Sequence, residues 1–219
     1  MIPSAYAKIV RSAVVPALAA MFLVGSVASY AEANDGQTGR NDINANRWLN
    51  QSQCRDFHSA VAAGEDIPVL EEIRRPSAME NGVLKVRIDT KFRDDALAAL
   101  EKWNEESEGA FSIEETDDES ALLIRDYQQT DGYMSALGVY GSRNKEIVLR
   151  LNGDSVPARD AEWVPGRRMV IAHELGHAMG LGHTCAGDAM AYSRSQGVVV
   201  GADVNKNDVE AVKQVNGIR

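Results

Sequence analysis

The sequence predicts a single α+β domain, because strand-like and helix-like patterns of apolar residues follow one another along the chain. Between Leu84 and Ile88 apolar residues alternate with charged ones, the period of two typical of a strand with one solvated face. Ala96, Leu100 and Trp103 then recur at intervals of three and four, which puts them on one face of a helix. With 219 residues, of which 44% are hydrophobic, the chain is long enough for one sizeable domain plus extensions.

Short apolar runs separated by polar turns continue this pattern to the C-terminus. We predict further strands at 111–113, 121–124, 138–140 and 147–151, and further helices within 47–63, from near 165 and near the C-terminus. Asp94 or Asp95 is expected to cap the helix that follows the first strand. Asn205 or Asn207 is expected to cap a final helix that ends at Gly217.

Residues 1–33 predict a secretory signal peptide. Lys8 and Arg11 precede an apolar run over 13–28, and small-x-small cleavage sites follow at 29–31 and 31–33. The alternative is a membrane anchor, but the run is shorter than the roughly 20 residues that a membrane-spanning helix needs. We therefore expect a secreted protein without stable membrane insertion.

The chain is acidic, with a formal net charge of −9. Nucleic acids and anionic membrane surfaces attract basic proteins, so this charge argues against either as a partner. Residues 34–80 are polar and weakly patterned, and we assign them to a propeptide or an N-terminal extension. Within them, Arg74-Arg75 is a candidate processing site, although paired arginines are more often plain surface.

The segment from His173 to His183 reads H-E-L-G-H-A-M-G-L-G-H and contains three of the chain's 4 histidines. His173 and His177 lie one turn apart on one face of a helix, where they can bind one metal ion. Gly180 and Gly182 allow the chain to leave the helix and turn back, so that His183 can become a third ligand. Three neutral imidazoles leave one position of a tetrahedral zinc open, which is the arrangement of a catalytic site.

Glu174 directly follows the first histidine and can reach a water molecule on such a metal. An H-E-x-x-H pentad alone also arises by chance. Here it lies in an apolar, helix-compatible run over 169–179, and the x-x-G-x-x-H extension follows it. We therefore predict a zinc hydrolase in which Glu174 is the general base.

The two cysteines, Cys54 and Cys185, have two readings in an exported chain. An even count in an oxidising compartment favours one disulfide, which would join the N-terminal segment to the rim of the metal site. Alternatively, Cys54 is a thiolate that blocks the zinc in a latent form.

The eleven-residue motif resembles that of the metzincin clan of zinc endopeptidases, and its wording is closest to the matrixins. Metzincins have a methionine turn beneath the zinc, and Met190 is similar in its spacing from His183. Tyr192 resembles the tyrosine of the astacin and serralysin branches that contacts the zinc or stabilises the oxyanion. The resemblance implies a zincin-like domain at 81–219, with a twisted, mostly parallel sheet of four to five strands, an antiparallel edge strand, an active-site helix, the methionine turn and a C-terminal helix.

The resemblance also assigns roles, and the sequence departs from it in two places. It implies Glu174 and Tyr192 as catalytic residues, one zinc on three histidines, and structural roles at the positions Gly180, Met190, Cys54 and Cys185. The segment around Cys54 does not reproduce the matrixin propeptide switch. His58 is the remaining histidine, so a second histidine-rich zinc site cannot be built, while structural calcium stays open.

These observations lead to one function and two alternatives. We predict a secreted, monomeric zinc endopeptidase that hydrolyses peptide bonds in proteins, with a protein or peptide as its partner. One alternative is a binding protein with a degenerate metzincin fold. The other is a zinc peptidase limited to short or cell-wall peptides.

Overall fold

The structure is a computed structural model that describes residues 49–131, 138–151, 164–191 and 203–219. The predicted signal peptide, residues 34–48 of the polar stretch and Tyr192 lie outside these residues. None of the described helices is long and apolar enough to cross a membrane.

The core of the fold is a five-stranded sheet. Its strands are β1 (Val83–Asp89), β2 (Ser112–Glu115), β3 (Leu122–Asp126), β4 (Gly138–Gly141) and β5 (Glu146–Leu149). Their order across the sheet is β2-β1-β3-β5-β4. All neighbours run parallel except β4, which pairs antiparallel with β5 at one edge. The prediction of an α+β fold with a mostly parallel sheet and an antiparallel edge strand is confirmed.

In the described part of the chain, five α-helices accompany the sheet: α1 (Gln51–Ala63), α2 (Leu70–Ile73), α3 (Arg93–Ser107), α4 (Val164–Ala178) and α5 (Lys206–Val215). Helices α3 and α4 pack against each other and against the sheet. The indole N–H of Trp103, which is fully buried, donates to the carbonyl oxygen of Ala172 at 3.0 Å. Arg167 pairs with Asp95 at 3.0 Å. These contacts fix the position of α4, the helix that carries the histidine motif.

Of the two helix caps predicted from the sequence, the one on α5 agrees with the structure and the one on α3 does not. Asn205 caps α5, and its side chain accepts the N–H of Asn207. The expected Asp94 or Asp95 cap of α3 is wrong, because the N-cap is Phe92 and makes no side-chain hydrogen bond. Both aspartates lie in the first turn of α3, where negative charge still stabilises the helix N-terminus.

Residues 49–80 pack on the main domain. Helix α1 begins after Asn50, which forms a capping box with Gln53. Phe57 of α1 and Ile73 at the end of α2 are fully buried in the common core. Each fully buried apolar side chain of this size stabilises the fold by about 1.5–3 kcal/mol. This segment therefore shares one hydrophobic core with residues 81–219.

Candidate metal centre

The structure brings His173, His177 and His183 together at one point. The first two lie on α4 and the third follows the helix. One ligand nitrogen from each ring can be chosen so that all lie within 4.8 Å of one another. The ring centroids are 4.7, 4.9 and 5.2 Å apart. This spacing is close enough for the three side chains to bind a single ion.

Hydrogen bonds determine which ring nitrogen of the two helical histidines is available. The Nδ1 atom of His173 lies 2.8 Å from the carbonyl oxygen of Ala189, and that of His177 lies 2.7 Å from the carbonyl oxygen of Leu181. A carbonyl oxygen only accepts, so each Nδ1 carries the hydrogen. Each Nε2 is therefore left with a lone pair, the state in which imidazole binds a metal.

The surroundings also keep the three rings neutral. Burial, with the neighbouring His173 adding to it, lowers the pKa of His177 to about 3. Burial likewise lowers the pKa of His183 and of His173. Neutral rings with free lone pairs at near-neutral pH are the donor set that zinc prefers.

Glu174 is a residue of α4, and its side chain lies between this helix and the edge strand β4. Its side chain is buried, and a Cβ atom added to Gly138 would lie 2.8 Å from its Cγ and 3.0 Å from its Oε1. At such distances something must shift, so a side chain at position 138 would displace Glu174 or the neighbouring Val170, whose Cγ1 lies 2.9 Å from the same point. The carboxylate therefore faces the first residue of the edge strand.

Met190 packs against α4 at Gly176. A Cβ atom added to Gly176 would lie 2.2 Å from the sulfur of Met190, which is fully buried. Gly176 stands between the two helical histidines in the sequence, so Met190 supports α4 at the level of the site. The chain leaves α4 at Gly180, whose φ of +94° lies in the region that favours glycine.

Two buried aspartates that the sequence did not single out support the loop after His183. Asp208 accepts the backbone N–H groups of Ala189, Met190 and Asn205 at 3.0, 3.3 and 3.1 Å. Burial raises the pKa of Asp208 to about 7, and the neighbouring Asp188 adds to this effect. Asp208 thus holds the residue whose carbonyl oxygen orients His173. No local sequence pattern distinguishes it from an ordinary helix-capping acid.

The two cysteines form a disulfide between Cys54 and Cys185. This is one of the two arrangements that the sequence left open, and the Cys54 sulfur is bonded to Cys185 instead of acting as a zinc-blocking thiolate. One turn along α1, the Nε2 of His58 lies 3.1 Å from a carboxylate oxygen of Asp188. Helix α1 is thereby linked twice to the loop after His183.

His58, Cys185 and Asp188 form the second described group of three side chains close enough to share a metal. The disulfide uses the sulfur, and the hydrogen bond joins the other two. Calcium prefers a cage of oxygen ligands, which neither described group offers. The structural calcium left open by the sequence has no support in this part of the chain.

The site can now be compared with known proteins. The family model described as Reprolysin_5, Metallo-peptidase family M12, matches residues 21–208. The chain belongs to metallo-peptidase family M12. This membership agrees with the metzincin resemblance at the level of a zinc peptidase, and it extends over both α1 and the three histidines. The finer matrixin-like assignment does not follow from it.

Two further likenesses are more limited. A hatching enzyme of Paracentrotus lividus is 27% identical over 135 residues, which span 57% of this M12 chain and 22% of that protein. The chain thus spans less than a quarter of that relative's length. A solved structure described as the GM1 bound form of the ECX AB5 holotoxin matches with a TM-score of 0.43 and 15% identity. That match covers 62% of this chain and 80% of the other, and it is too distant to bear on fold or function.

Proposed function

We propose that this M12 family member is a secreted zinc endopeptidase that hydrolyses peptide bonds in proteins. The observation that carries the proposal is the cluster of His173, His177 and His183, with Glu174 beside it. The Nδ1 hydrogens of the two helical rings are bonded to backbone carbonyl oxygens. This leaves their Nε2 atoms, with a nitrogen of His183, to hold one zinc ion.

When bound, zinc supplies a water molecule of lowered pKa and polarises the scissile carbonyl group. Glu174 is the general base: it takes a proton from the attacking water and returns it to the leaving amine nitrogen. Its buried position beside Gly138 limits the number of orientations that the carboxylate can adopt.

The edge strand β4 is the proposed binding surface for the peptide substrate. One side of this strand pairs with β5, and it is the last strand in the sheet order. An extended peptide can add to such an edge as a further strand through backbone hydrogen bonds. Because Glu174 contacts Gly138 at the start of β4, a peptide bound there would lie close to the base.

Several finer assignments belong to the same proposal. Tyr192 would donate a hydrogen bond to the developing oxyanion, and Met190 would form the methionine turn of a matrixin-like site. Residues 1–33 would direct secretion and be removed. The pattern of charge, apolar run and small residues supports the last point, and the motif wording supports the others.

Replacing Glu174 with glutamine tests the proposal. Glutamine keeps the size of the side chain but cannot accept the proton, so we expect hydrolysis of an unstructured protein such as casein to fall about 10²–10⁴-fold. Zinc content, measured by atomic absorption, should stay at one ion per chain. Glu101→Gln makes the same change on an exposed position of α3 and should leave both measurements unchanged.

Three results would contradict the proposal in different ways. Undiminished hydrolysis by Glu174→Gln would remove Glu174 from the mechanism. A zinc-loaded wild-type protein that cleaves no substrate would indicate a binding protein with a degenerate site. Cleavage of short or cell-wall peptides without cleavage of casein would restrict the activity to a peptidase.

A further inference from the structure

We propose that the segment Ile73–Ala78, here called the strap, positions the third metal ligand, and that Arg75 is its positioning side chain. The inference rests on the proposed zinc site. It also assigns the strap to the active enzyme, so that any propeptide would have to end upstream of it.

Backbone hydrogen bonds pair the strap with the residues that lead from α4 to His183. The N–H of Arg75 donates to Gly180 at 2.9 Å, and the N–H of Ala78 donates to Ala178 at 2.8 Å. In the other direction, the N–H of Gly182 donates to the carbonyl oxygen of Ile73. Arg74 and Leu181 form an antiparallel bridge between them. The strap thus fixes the path of the chain up to the residue before His183.

The side chain of Arg75 adds a second contact at the same place. A Cβ atom added to Gly182 would lie 2.9 Å from the guanidinium carbon of Arg75 and 3.0 Å from its Nη2. The guanidinium is held in turn by hydrogen bonds from Nη1 to the carbonyl oxygens of Glu72 and Arg74, at 3.1 and 2.8 Å. The guanidinium of Arg75 therefore lies close against the glycine next to the third ligand.

The strap acts on a second ligand through the same loop. Leu181, which bridges to Arg74, supplies the carbonyl oxygen that accepts the Nδ1 hydrogen of His177 at 2.7 Å. Movement of Leu181 would therefore rotate the ring of His177 as well as shift His183. Groups that orient metal ligands in this way typically change metal affinity about 10–100-fold when they are removed.

The strap is itself anchored on its far side. Ile73 is fully buried in the core. The guanidinium of Arg74 pairs with Glu71 at 3.0 Å and donates to the carbonyl oxygen of Val215 in α5. Cleavage between Arg74 and Arg75 would separate the buried anchor from the residues that pair with Gly180. We therefore infer that cutting at this dibasic pair loosens the site rather than activating it.

An arginine outside the strap provides a matched control. Arg75→Gln removes the guanidinium from Gly182, whereas Arg143→Gln makes the same change on an exposed side chain in the turn between β4 and β5. Zinc affinity is measured by competition with a chromophoric chelator, and the ligand geometry is followed in the visible spectrum of the cobalt-substituted protein. We expect Arg75→Gln to weaken zinc binding about 10-fold or more and to alter the cobalt spectrum.

Arg143→Gln should bind zinc within about 3-fold of wild type with an unchanged spectrum, since its exposed turn belongs to neither the strap nor the loop that contains His183. Equal zinc affinity in the wild type and Arg75→Gln, or equal losses in both variants, would overturn the role of Arg75. A wild-type protein that binds no zinc would instead contradict the proposed function, which separates the two failures.

A second variant tests the same contact without altering the arginine. Gly182→Ala places a methyl group 2.9 Å from the guanidinium carbon of Arg75 and 3.1 Å from the carbonyl oxygen of Ile73, so it should also weaken zinc binding. If the arginine contact dominates, the double variant Arg75→Ala/Gly182→Ala should bind zinc no more weakly than the weaker-binding of its two single variants. Additive losses would show that Gly182 and Arg75 act independently and would overturn the contact.

The location of the mature N-terminus tests the wider inference. Sequencing the N-terminus of the active secreted protein should give a start at or before Leu49, upstream of α1 and the strap. A fully active, zinc-loaded form that starts at or after Arg75 and has no associated N-terminal fragment would overturn it.

Discussion

The two helical histidines and the third histidine reach the same point by different routes. His173 and His177 are placed by the repeat of helix α4, and the core around α4 fixes their direction. His183 lies beyond the end of this helix, after a left-handed residue at Gly180. Its path is set by the strap, which is about a hundred residues away in the sequence.

A short sequence motif can therefore depend on contacts from distant parts of the chain. The helix places the backbone of the helical pair, whereas the two rings are oriented by the carbonyl oxygens of Ala189 and Leu181. The third ligand needs contacts from residues 49–80 and from α5, since the loop that contains it has no regular structure of its own. Perturbations of the N-terminal segment should therefore affect the His183 loop more than α4.

Removing the Cys54–Cys185 disulfide should produce the largest effect. The bond joins residues 131 apart, and loss of a disulfide that closes a long loop typically costs about 2–5 kcal/mol. We expect the double variant Cys54→Ala/Cys185→Ala to have a free energy of unfolding, measured with urea, that is lower by that amount. Hydrogen exchange should rise in the segment 180–188 before it rises in α4.

The cap of helix α1 offers a control for this experiment. Asn50→Ala weakens the same helix by about 1 kcal/mol but keeps the disulfide. It should change exchange in the loop much less than loss of the bond does. Equal exchange in α4 and in the loop after removal of the disulfide would show that the two regions do not differ in support.

The same difference explains how much could be predicted from the sequence. The motif on α4 was recognisable because residue spacing along a helix directly gives spatial proximity. The first strand was recognisable by its periodicity and the others as short apolar runs, while the family resemblance implied an antiparallel edge strand, which the structure shows to be β4. In each of these cases, the information lies in residues close together in the chain.

The support of the loop was not predictable on the same basis. Residues 34–80 have weak patterning, and Arg74-Arg75 resembles plain surface or a processing site until its contacts with α5 and the loop are known. The cap of α3 was placed wrongly because Asp95, a good cap residue in isolation, is used instead to bind Arg167. The role of the arginine pair and the cap of α3 both depend on contacts between residues far apart in the sequence, which no local pattern predicts.

The pH dependence of stability should give the next largest effect, through Asp208. Its pKa is about 7 in the folded protein and about 3.8 without the fold, so the folded state holds the proton over this interval. The stability contributed by Asp208 is fully present below about pH 4 and is lost as the pH rises through about 7. Ionisation strengthens the hydrogen bonds that Asp208 accepts from Ala189, Met190 and Asn205, but the cost of a buried charge beside Asp188 is larger, so the net effect destabilises the fold.

Asp208→Asn, which resembles the protonated acid in shape, isolates this contribution. Between pH 5 and pH 8, the free energy of unfolding of the wild type relative to this variant should fall by on the order of 2 kcal/mol. Titration of the buried histidines acts in the opposite direction, but it is common to both proteins and cancels in the difference. Parallel stability curves for the two proteins would contradict the assignment.

The contact between Gly176 and Met190 should give the smallest effect, and it joins the two regions directly. In an exposed helix, Gly→Ala stabilises by about 1 kcal/mol. Here the new methyl group would lie 2.2 Å from the sulfur of Met190, and overpacking of a core costs about 1–3 kcal/mol. Methionine is flexible and can yield in part, so we expect a net loss of about 1 kcal/mol in urea unfolding of Gly176→Ala.

A double variant decides whether Met190 is the cause. In the background Met190→Ala, the obstructing sulfur is gone, and Gly176→Ala should then gain stability through helix propensity. The effect of Gly176→Ala on stability would thus change from destabilising to stabilising when Met190 is replaced by alanine. If Gly176→Ala lowered the free energy of unfolding equally in the wild type and in Met190→Ala, its strain would come from another contact of α4. Zinc affinity measured on the same proteins should follow the stability, because Met190 joins the loop after His183 to the helix between His173 and His177.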